Sequence, residues 1–526
     1  MAWSKQLSKR PQLWFVLGTV GIFLLAIALR FWGLSRFNTL VFDEVYFATF
    51  ANNYLIQRPF FDGHPPLGKY LIAIGIWLAN QTPWGADAVK NSLTGSLLSP
   101  FSYRWLNALV GSFIPLIVMG IAYQLTRRRS YALIAGLLST LDGLFLVESR
   151  YALVNVYLIS FGLLGQWFFL RSLERRGVKR WWWLILAGIS FGASAAIKWN
   201  GLWFLFGAYL LWFTAWGMRL IAKFWGGTPD PILTPSGKQF ISPLRKLTQL
   251  NLFTAITALG IVPVLTYSLS WIPHLRLNPT PNFWDVQKRI LSYHERVGDG
   301  PKIHPYCSDW YTWLFMQRPI LYFYETAQTT SDIVPAKPSL PQSAVKLVYD
   351  IHAMGNPALW WLSTAGILLV MWMLGKRFYN WVQQTDAAHA IAAIPNQAPT
   401  QAIAAPTLPQ PATGSFTGSF TGSITSSIDL WIGVYLVANY GANLIPWMRV
   451  SRCTFLYHYM GASVFSLLAI AWLIDRWLHS RQYWFRIAGV TAIFLIIMAF
   501  IFWLPFYLGL PLSPTEWQLR RWLPTW

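Results

Sequence analysis

The chain has 526 residues, of which 55% are hydrophobic, 17% aromatic and only 11% charged. A soluble domain is about a quarter charged, so this composition excludes an ordinary soluble enzyme and belongs to the membrane class. The net charge of +22 would suit nucleic acid, but in a polytopic protein excess Lys and Arg gather in cytoplasmic loops and set orientation, so their placement decides between the two.

A basic start (Lys5, Lys9, Arg10) precedes the first predicted span, 13–32. No A-x-A-like cleavage site follows, so it reads as a retained helix with a cytoplasmic N-terminus. Residues 33–103 are then external, and within them 65–80 is apolar but short for a crossing, as an interfacial or re-entrant helix would be. Further spans are predicted at 105–126, 131–147, 151–170, 181–197, 201–218 and 252–272. After a long external region, 273–356, come spans at 357–374, 429–447, 455–475 and 485–508. That makes about eleven helices with an external C-terminus.

The basic clusters at Arg127–Arg129, "RSLERRGVKR", Lys223, Lys238, Arg245, Lys246, Lys376 and Arg377 fall on one side; only Arg520 and Arg521 do not. The positive charge therefore reports topology, and no nucleic-acid partner is expected. Residues 384–428, rich in Ala, Pro, Thr, Ser and Gly with a GSFT repeat, read as a disordered cytoplasmic linker. It separates a membrane domain, 1–383, from the C-terminal helices of the same domain, 429–526. Cys307 and Cys453 make neither a disulfide framework nor a CxxC motif, and they are expected to stay unpaired unless both face an oxidising side.

Ionisable residues at membrane depth mark function, structural pairing or a wet cavity. Asp43-Glu44, followed by Asp62, His64 and Lys69 in "FFDGHPPLGKYL", put an acid pair and a His/Lys pair in one short external segment. A carboxylate there could serve as a general base, while a helix start would use the same acids. Arg104, with Asp142, Glu148 and Arg150 nearby, offers a guanidinium fork that suits phosphate or an interfacial anchor. Lys198 in "IKWNGLW" breaks the positive-inside pattern. In the long loop, aromatic and basic residues interleave, as in a sugar-binding surface, and 284–296 would also suit an amphipathic helix on the membrane. His294 and His304 fit no zinc spacing.

The segments "FDEVYFATFANNYL", "FFDGHPPLGKYLIA", "SYRWLNALVGSFIPL", "IKWNGLWF", "HPYCSDWYTWLFMQRPILYFYE", "GNPALWW" and "NLIPWMRVSRCTFLYHYM" resemble the protein O-mannosyltransferases, in that family's order, over most of the chain. The resemblance implies an all-α polytopic glycosyltransferase of the GT-C type. Such enzymes move mannose from a polyprenyl-phosphate carrier to Ser or Thr of exported proteins, with inversion, at the outer face of the cell membrane. Carried over, Asp43 matches the general base and Glu44 its essential neighbour, Arg104 an arginine important for activity, and Lys198 a lysine near the donor phosphate. His64, Lys69, Arg150, His304, Tyr306, Arg318, Arg452 and His458 complete the expected substrate-binding set, with no metal ligand among them. The sequence shows no need for a cofactor and does not decide whether a divalent cation takes part.

The chain departs from the family pattern in three places. No three-fold β-trefoil module interrupts 273–356, many members' "RxxLLD" reads "RYALVN" with Asn155 here, and 384–428 matches nothing. The alternatives are a transferase of the same architecture acting on a lipid, such as the aminoarabinose transferases, or a transporter. A transporter would place charges at mid-span and show inverted repeats. The "HPY…RPI" block favours protein mannosylation.

Overall fold

The computed structural model describes residues 11–83, 89–224, 242–327, 346–392 and 416–526. Helix α1 (Pro11–Phe31) leads into α2 (Glu44–Leu55) and α3 (Leu67–Asn80), then a hairpin of β1 (Asn91–Leu93) and β2 (Ser96–Leu98). Helices α4 (Pro100–Thr126), α5 (Arg129–Thr140), α6 (Gly143–Glu148), α7 (Asn155–Ser172), α8 (Gly177–Ala195) and α9 (Leu202–Phe224) follow. After α10 (Pro243–Leu247) come α11 (Leu252–Leu277) and α12 (Phe283–Arg296), then β3 (Ile320–Ala327) and β4 (Leu347–Ala353). The chain closes with α13 (Pro357–Ala392), α14 (Phe416–Leu444), α15 (Met460–Leu478), α16 (Tyr483–Leu508) and α17 (Pro514–Arg520).

Eight helices among the described residues are long and apolar enough to cross a membrane: α1, α4, α9, α11, α13, α14, α15 and α16. The other three predicted spans are helical too but built differently. The one at 131–147 is broken between α5 and α6, where Asp142 stops the helix and caps the next by accepting the Phe145 N–H at 3.0 Å. Helices α7 and α8 are 18 and 19 residues long and pack against each other.

Local chemistry sets the helix ends. Helix α4 starts at Ser99, whose hydroxyl accepts the Ser102 N–H, with Pro100 in the first turn, and ends at Arg127 in the left-handed region at φ +61°. Helix α15 is buried along its whole length, flanked by α13, α14, α16 and α5. Its Ser463 and Ser466 hydroxyls donate to carbonyls one turn back, at 3.1 and 2.9 Å, which satisfies them inside the core. Helix α1 and most of α16 instead present exposed Leu, Val, Ile and Phe, the pattern of a lipid-facing surface.

Three expectations are corrected. The all-α reading holds for the bundle, but two antiparallel hairpins cap it, β1 with β2 and β3 with β4. The first turns through Thr94 and Gly95, both at positive φ, the geometry of a tight two-residue hairpin. The linker expected over 384–428 is shorter, because 384–392 continues α13 and 416–428 begins α14; residues 393–415 lie outside the described residues. Alanine-rich "DAAHAIA" favours helix, and Phe416, Phe420, Ile424 and Ile428 recur every fourth residue, a helical stripe.

The third correction is the cysteines. Cys307 and Cys453 form a disulfide across 146 residues. Around it the chains are laced together: Cys453 N–H donates to Gly298 O (2.9 Å), Ser308 N–H to Thr454 O (2.8 Å) and the Thr454 hydroxyl to Ser308 O (2.7 Å). A cross-link over a loop this long restrains the unfolded chain by about 5 kcal/mol in the loop-entropy description. Cys307→Ser, Cys453→Ser and the double variant should therefore lower the apparent Tm in detergent by the same amount, and reductant should lower the wild type alone.

Candidate functional site

The site is built on one buried ion pair. Glu44, fully buried at the start of α2, receives the Arg104 guanidinium in a two-pronged grip, Nε to Oε1 at 2.8 Å and Nη2 to Oε2 at 2.7 Å. The same carboxylate accepts the Val41 N–H at 3.1 Å and the Ala152 N–H at 2.9 Å. Arg104 spends its remaining donors on the Leu34, Phe37 and Thr39 carbonyls, at 3.3, 2.6 and 3.0 Å. The pair thus ties α2, α4, the α1–α2 loop and the α6–α7 loop to one point.

Asp43, next in the chain, is treated differently. It occupies the cap position of α2 yet makes no capping bond; its carboxylate takes only a long contact, 3.4 Å, from the Tyr457 hydroxyl. Phe42 before it adopts φ +45°, a region costly for a residue with a side chain and typical of functional sites. Its ring is held at 5.3 Å by a stacked Tyr322 and edge-on by His304 and Phe455 at 5.5 and 5.4 Å. Burial pushes the Asp43 carboxyl above the ordinary carboxylate range, against the pull of Lys198 and the Tyr457 hydrogen bond.

Lys198 is 4% exposed and, among the described residues, makes no hydrogen bond or ion pair. Its ammonium lies 5.0 Å from the Tyr457 ring centre and 5.8 Å from that of Phe47. Asp43, Glu148, Asp62 and Arg452 all act on its charge, and burial lowers its pKa. Glu148, also fully buried, is bound by the Tyr322 hydroxyl and, at 3.0 Å, by Asn155 Nδ2. Asn155 therefore donates where an aspartate would bring a second carboxylate.

The HPPLGK segment is a scaffold beside these groups. Lys69 is ion-paired with Asp62 and donates to the His64 carbonyl at 2.8 Å. Helix α12 lies across it: Arg289 stacks on Phe61 at 4.1 Å and His294 Nε2 meets the Gly63 carbonyl at 2.9 Å. A side chain at Gly63 would meet Tyr293 at 2.6 Å, so only glycine admits the helix this closely. The His64 and His294 rings are 5.3 Å apart, and burial and nearby cations lower the pKa of both.

The expected residues thus divide. Asp43, Lys198, His64, His304 and Arg452 gather around one region; His304 lies edge-on to Phe42, its pKa raised by Asp43 against a larger lowering by burial. Tyr306, half-buried, follows His304 and donates its N–H to the His304 ring at 3.2 Å. Others are engaged, to differing degrees, within the protein itself. Every Arg104 nitrogen is bonded internally. Arg150 closes the end of α1, with Nη1 on the Leu29, Arg30 and Trp32 carbonyls at 2.8, 3.0 and 2.8 Å. Lys69 serves Asp62. Arg318 holds the Pro305 carbonyl at 2.8 Å. His458 is buried between the Trp313 and Trp447 rings, at 6.0 and 4.5 Å. Glu44 is likewise fully engaged.

Tyr457, Tyr322 and Phe42 were missed as site residues, because aromatics in an aromatic-rich chain carry no signal of their own. Among the described residues no three His, Cys, Asp or Glu side chains are grouped to hold a metal ion.

Removing one partner of a buried pair leaves an uncompensated charge at a cost of about 3–5 kcal/mol. Arg104→Gln and Glu44→Gln are each expected to lower folded yield and apparent Tm steeply, with a double variant milder than their sum. Asp43→Asn, which removes an unengaged and poorly solvated charge, should leave Tm unchanged or higher.

Comparison with known proteins gives this arrangement its context. Residues 20–276 match the family described as dolichyl-phosphate-mannose-protein mannosyltransferase. Residues 279–404 and 421–526 match the C-terminal four-transmembrane region of protein O-mannosyltransferases. The polyprenol-phosphate-mannose–protein mannosyltransferase of Mycolicibacterium smegmatis is 25% identical, covering 93% of this chain and 88% of its own. That of Corynebacterium glutamicum is 22% identical, covering 95% and 91%. In three dimensions the chain is similar to the S. cerevisiae protein O-mannosyltransferase Pmt1-Pmt2 complex bound to the sugar donor, with TM-score 0.70, 14% identity and coverage of 97% and 92%. The fold is that of the GT-C glycosyltransferases, and the chain is a glycosyltransferase belonging to the protein O-mannosyltransferase family.

Proposed function

We propose that this protein transfers mannose from polyprenyl-phosphate-mannose to Ser or Thr hydroxyls of exported proteins, by a single inverting displacement. The observation that carries the reading is the pairing of an unengaged carboxylate, Asp43, with a buried and unpaired ammonium, Lys198. The acceptor hydroxyl gives its proton to Asp43 as its oxygen bonds to the anomeric carbon. The bond from that carbon to the phosphate oxygen breaks on the opposite face, and polyprenyl phosphate leaves with the electron pair. Lys198, supported by Arg452, stabilises the charge that grows on the phosphate. His304, near Asp43 and with Tyr306 packed against it, is assigned to the acceptor side, and His64 lies nearer Lys198.

The reading places the site on the outer face of the cell membrane, with eleven crossings and a cytoplasmic N-terminus. Two features support this orientation. The disulfide lies at the site's end of the bundle, and disulfides persist in oxidising compartments. The basic clusters lie at the other end.

With labelled polyprenyl-phosphate-mannose and a Ser/Thr-rich peptide, purified wild type should label the peptide. Asp43→Asn should lose at least about a hundredfold, the usual scale for general base catalysis. Labelling of a lipid acceptor in place of the peptide would overturn the reading.

The pH profile has a definite sign. The base must be ionised and its pKa is raised, so activity should fall on the acid side above the ordinary carboxylate range of about 4. The cation must be protonated and its pKa is lowered, so the alkaline limb should lie below the ordinary lysine value of about 10.4. Lys198→Met should remove that limb along with most of the activity. Because Lys198 supplies the charge that a divalent cation would otherwise bring, EDTA should leave transfer intact; loss on chelation and recovery with added cation would replace this assignment.

A further inference from the structure

The end of the bundle away from Asp43 carries a second charged cluster that the reaction does not use. Helix α4 has 27 residues, about 40 Å at 1.5 Å per residue, so Arg127 at its close lies roughly a membrane's thickness from Arg104 near its start. There the α4–α5 corner, the α7–α8 turn and α10 converge. Arg171 lies near enough to Arg175 and Arg127 for their charges to act on it, Arg180 to Arg176, and Lys246 to Arg127, Arg180 and Arg176. Glu174, paired with Arg127, is the one carboxylate of the cluster among the described residues. The neighbouring Arg128 is neutralised separately by Asp475 at 2.8 Å.

A positive-inside bias requires basic residues on one side of the membrane, but it does not require them to converge. Convergence of like charges is repulsive, and here the fold enforces it. Arg180 is fixed by its Nε on the Arg175 carbonyl at 2.8 Å and by Nη2 on Gln249 at 3.1 Å. Arg171 lies over the Trp183 ring at 5.1 Å, its Nε buried and without a hydrogen-bond partner. Directly alongside, Val178, Trp182 and Phe253 are exposed at 72%, 63% and 69%, an apolar and aromatic rim at the level where a membrane interface would lie. A ligand that satisfies both halves is an anion with hydrocarbon attached.

We propose that this cluster is a binding site for the phosphate headgroup of an anionic phospholipid, in the leaflet opposite the catalytic face. Basic residues gathered between helices on the cytoplasmic side hold such headgroups by charge at close quarters. The site does not depend on the transfer chemistry proposed above, and its test does not read activity.

The test titrates delipidated full-length protein in neutral detergent with phosphatidylglycerol or phosphatidylcholine of the same acyl chains, bound lipid being counted by native mass spectrometry. Phosphatidylglycerol should bind preferentially and in a salt-sensitive manner. Arg175→Gln with Arg176→Gln and Lys246→Gln should weaken it at least about tenfold. Glu174→Gln, which deletes the one carboxylate of the cluster among the described residues, should tighten it, a gain that a misfolded protein would not show. Equal binding of the two lipids, or no change in either variant, overturns the proposal. Displacement of the lipid by millimolar inorganic phosphate with no dependence on acyl chains reassigns the site to a soluble phosphate and also overturns it.

Discussion

Everything around Asp43 depends on a carboxylate and a guanidinium that are spent on each other. Glu44 and Arg104 stand 60 residues apart in sequence and are both fully enclosed, so each would be prohibitively costly alone. Together, with five further backbone partners between the α1–α2 loop and Ala152, they satisfy nearly every donor and acceptor they own. A buried pair so complete is not a large source of stability relative to an apolar core. Its value is geometric, because it leaves the chain one way to enter α2, and Asp43 is the residue at that entry.

The charges of the site therefore separate into two kinds. Glu44 with Arg104 and Lys69 with Asp62 are neutralised within the protein, and Arg150, without a carboxylate partner, is held by the backbone carbonyls that end α1. Lys198 is buried and Asp43 half-buried, and neither has a matched ionic partner among the described residues. The rings of Phe42, Tyr322, Phe455, Tyr457 and His304 pack together beside Asp43 and lower the polarity of its surroundings. A preorganised site is stabilised elsewhere in the fold and strained where it works.

Much of the bundle was legible because crossing a membrane imposes a length and an apolar composition that a linear scan detects. The acid pair and HPPLGK were legible because they are close in sequence. What could not be read was non-local. Nothing in the neighbourhood of Arg104 shows that its partner lies in α2 rather than on a phosphate, and nothing near Arg150 shows that its donors close α1. Tyr322 and Tyr457 reach the site from segments some 280 and 414 residues beyond Asp43. Two cysteines gave no pattern, because a single bridge has no spacing to repeat. The strands escaped because β1 and β2 are three residues each, too short to show a period, and β3 and β4 pair across a sequence gap in an aromatic-rich region.

The lacing of 298–308 to 451–454 has a consequence for how the enzyme comes into being. Asp43 and Lys198 are synthesised early, but the wall that carries His304 is fastened only when Cys453 and Thr454 arrive, and Tyr457 comes a few residues later. A ribosome-bound chain that ends before Cys453 holds Asp43 and Lys198 without the segment that fastens the His304 wall and supplies Tyr457. The surroundings of Asp43 and Lys198 are thus completed only when nearly the whole chain has been made.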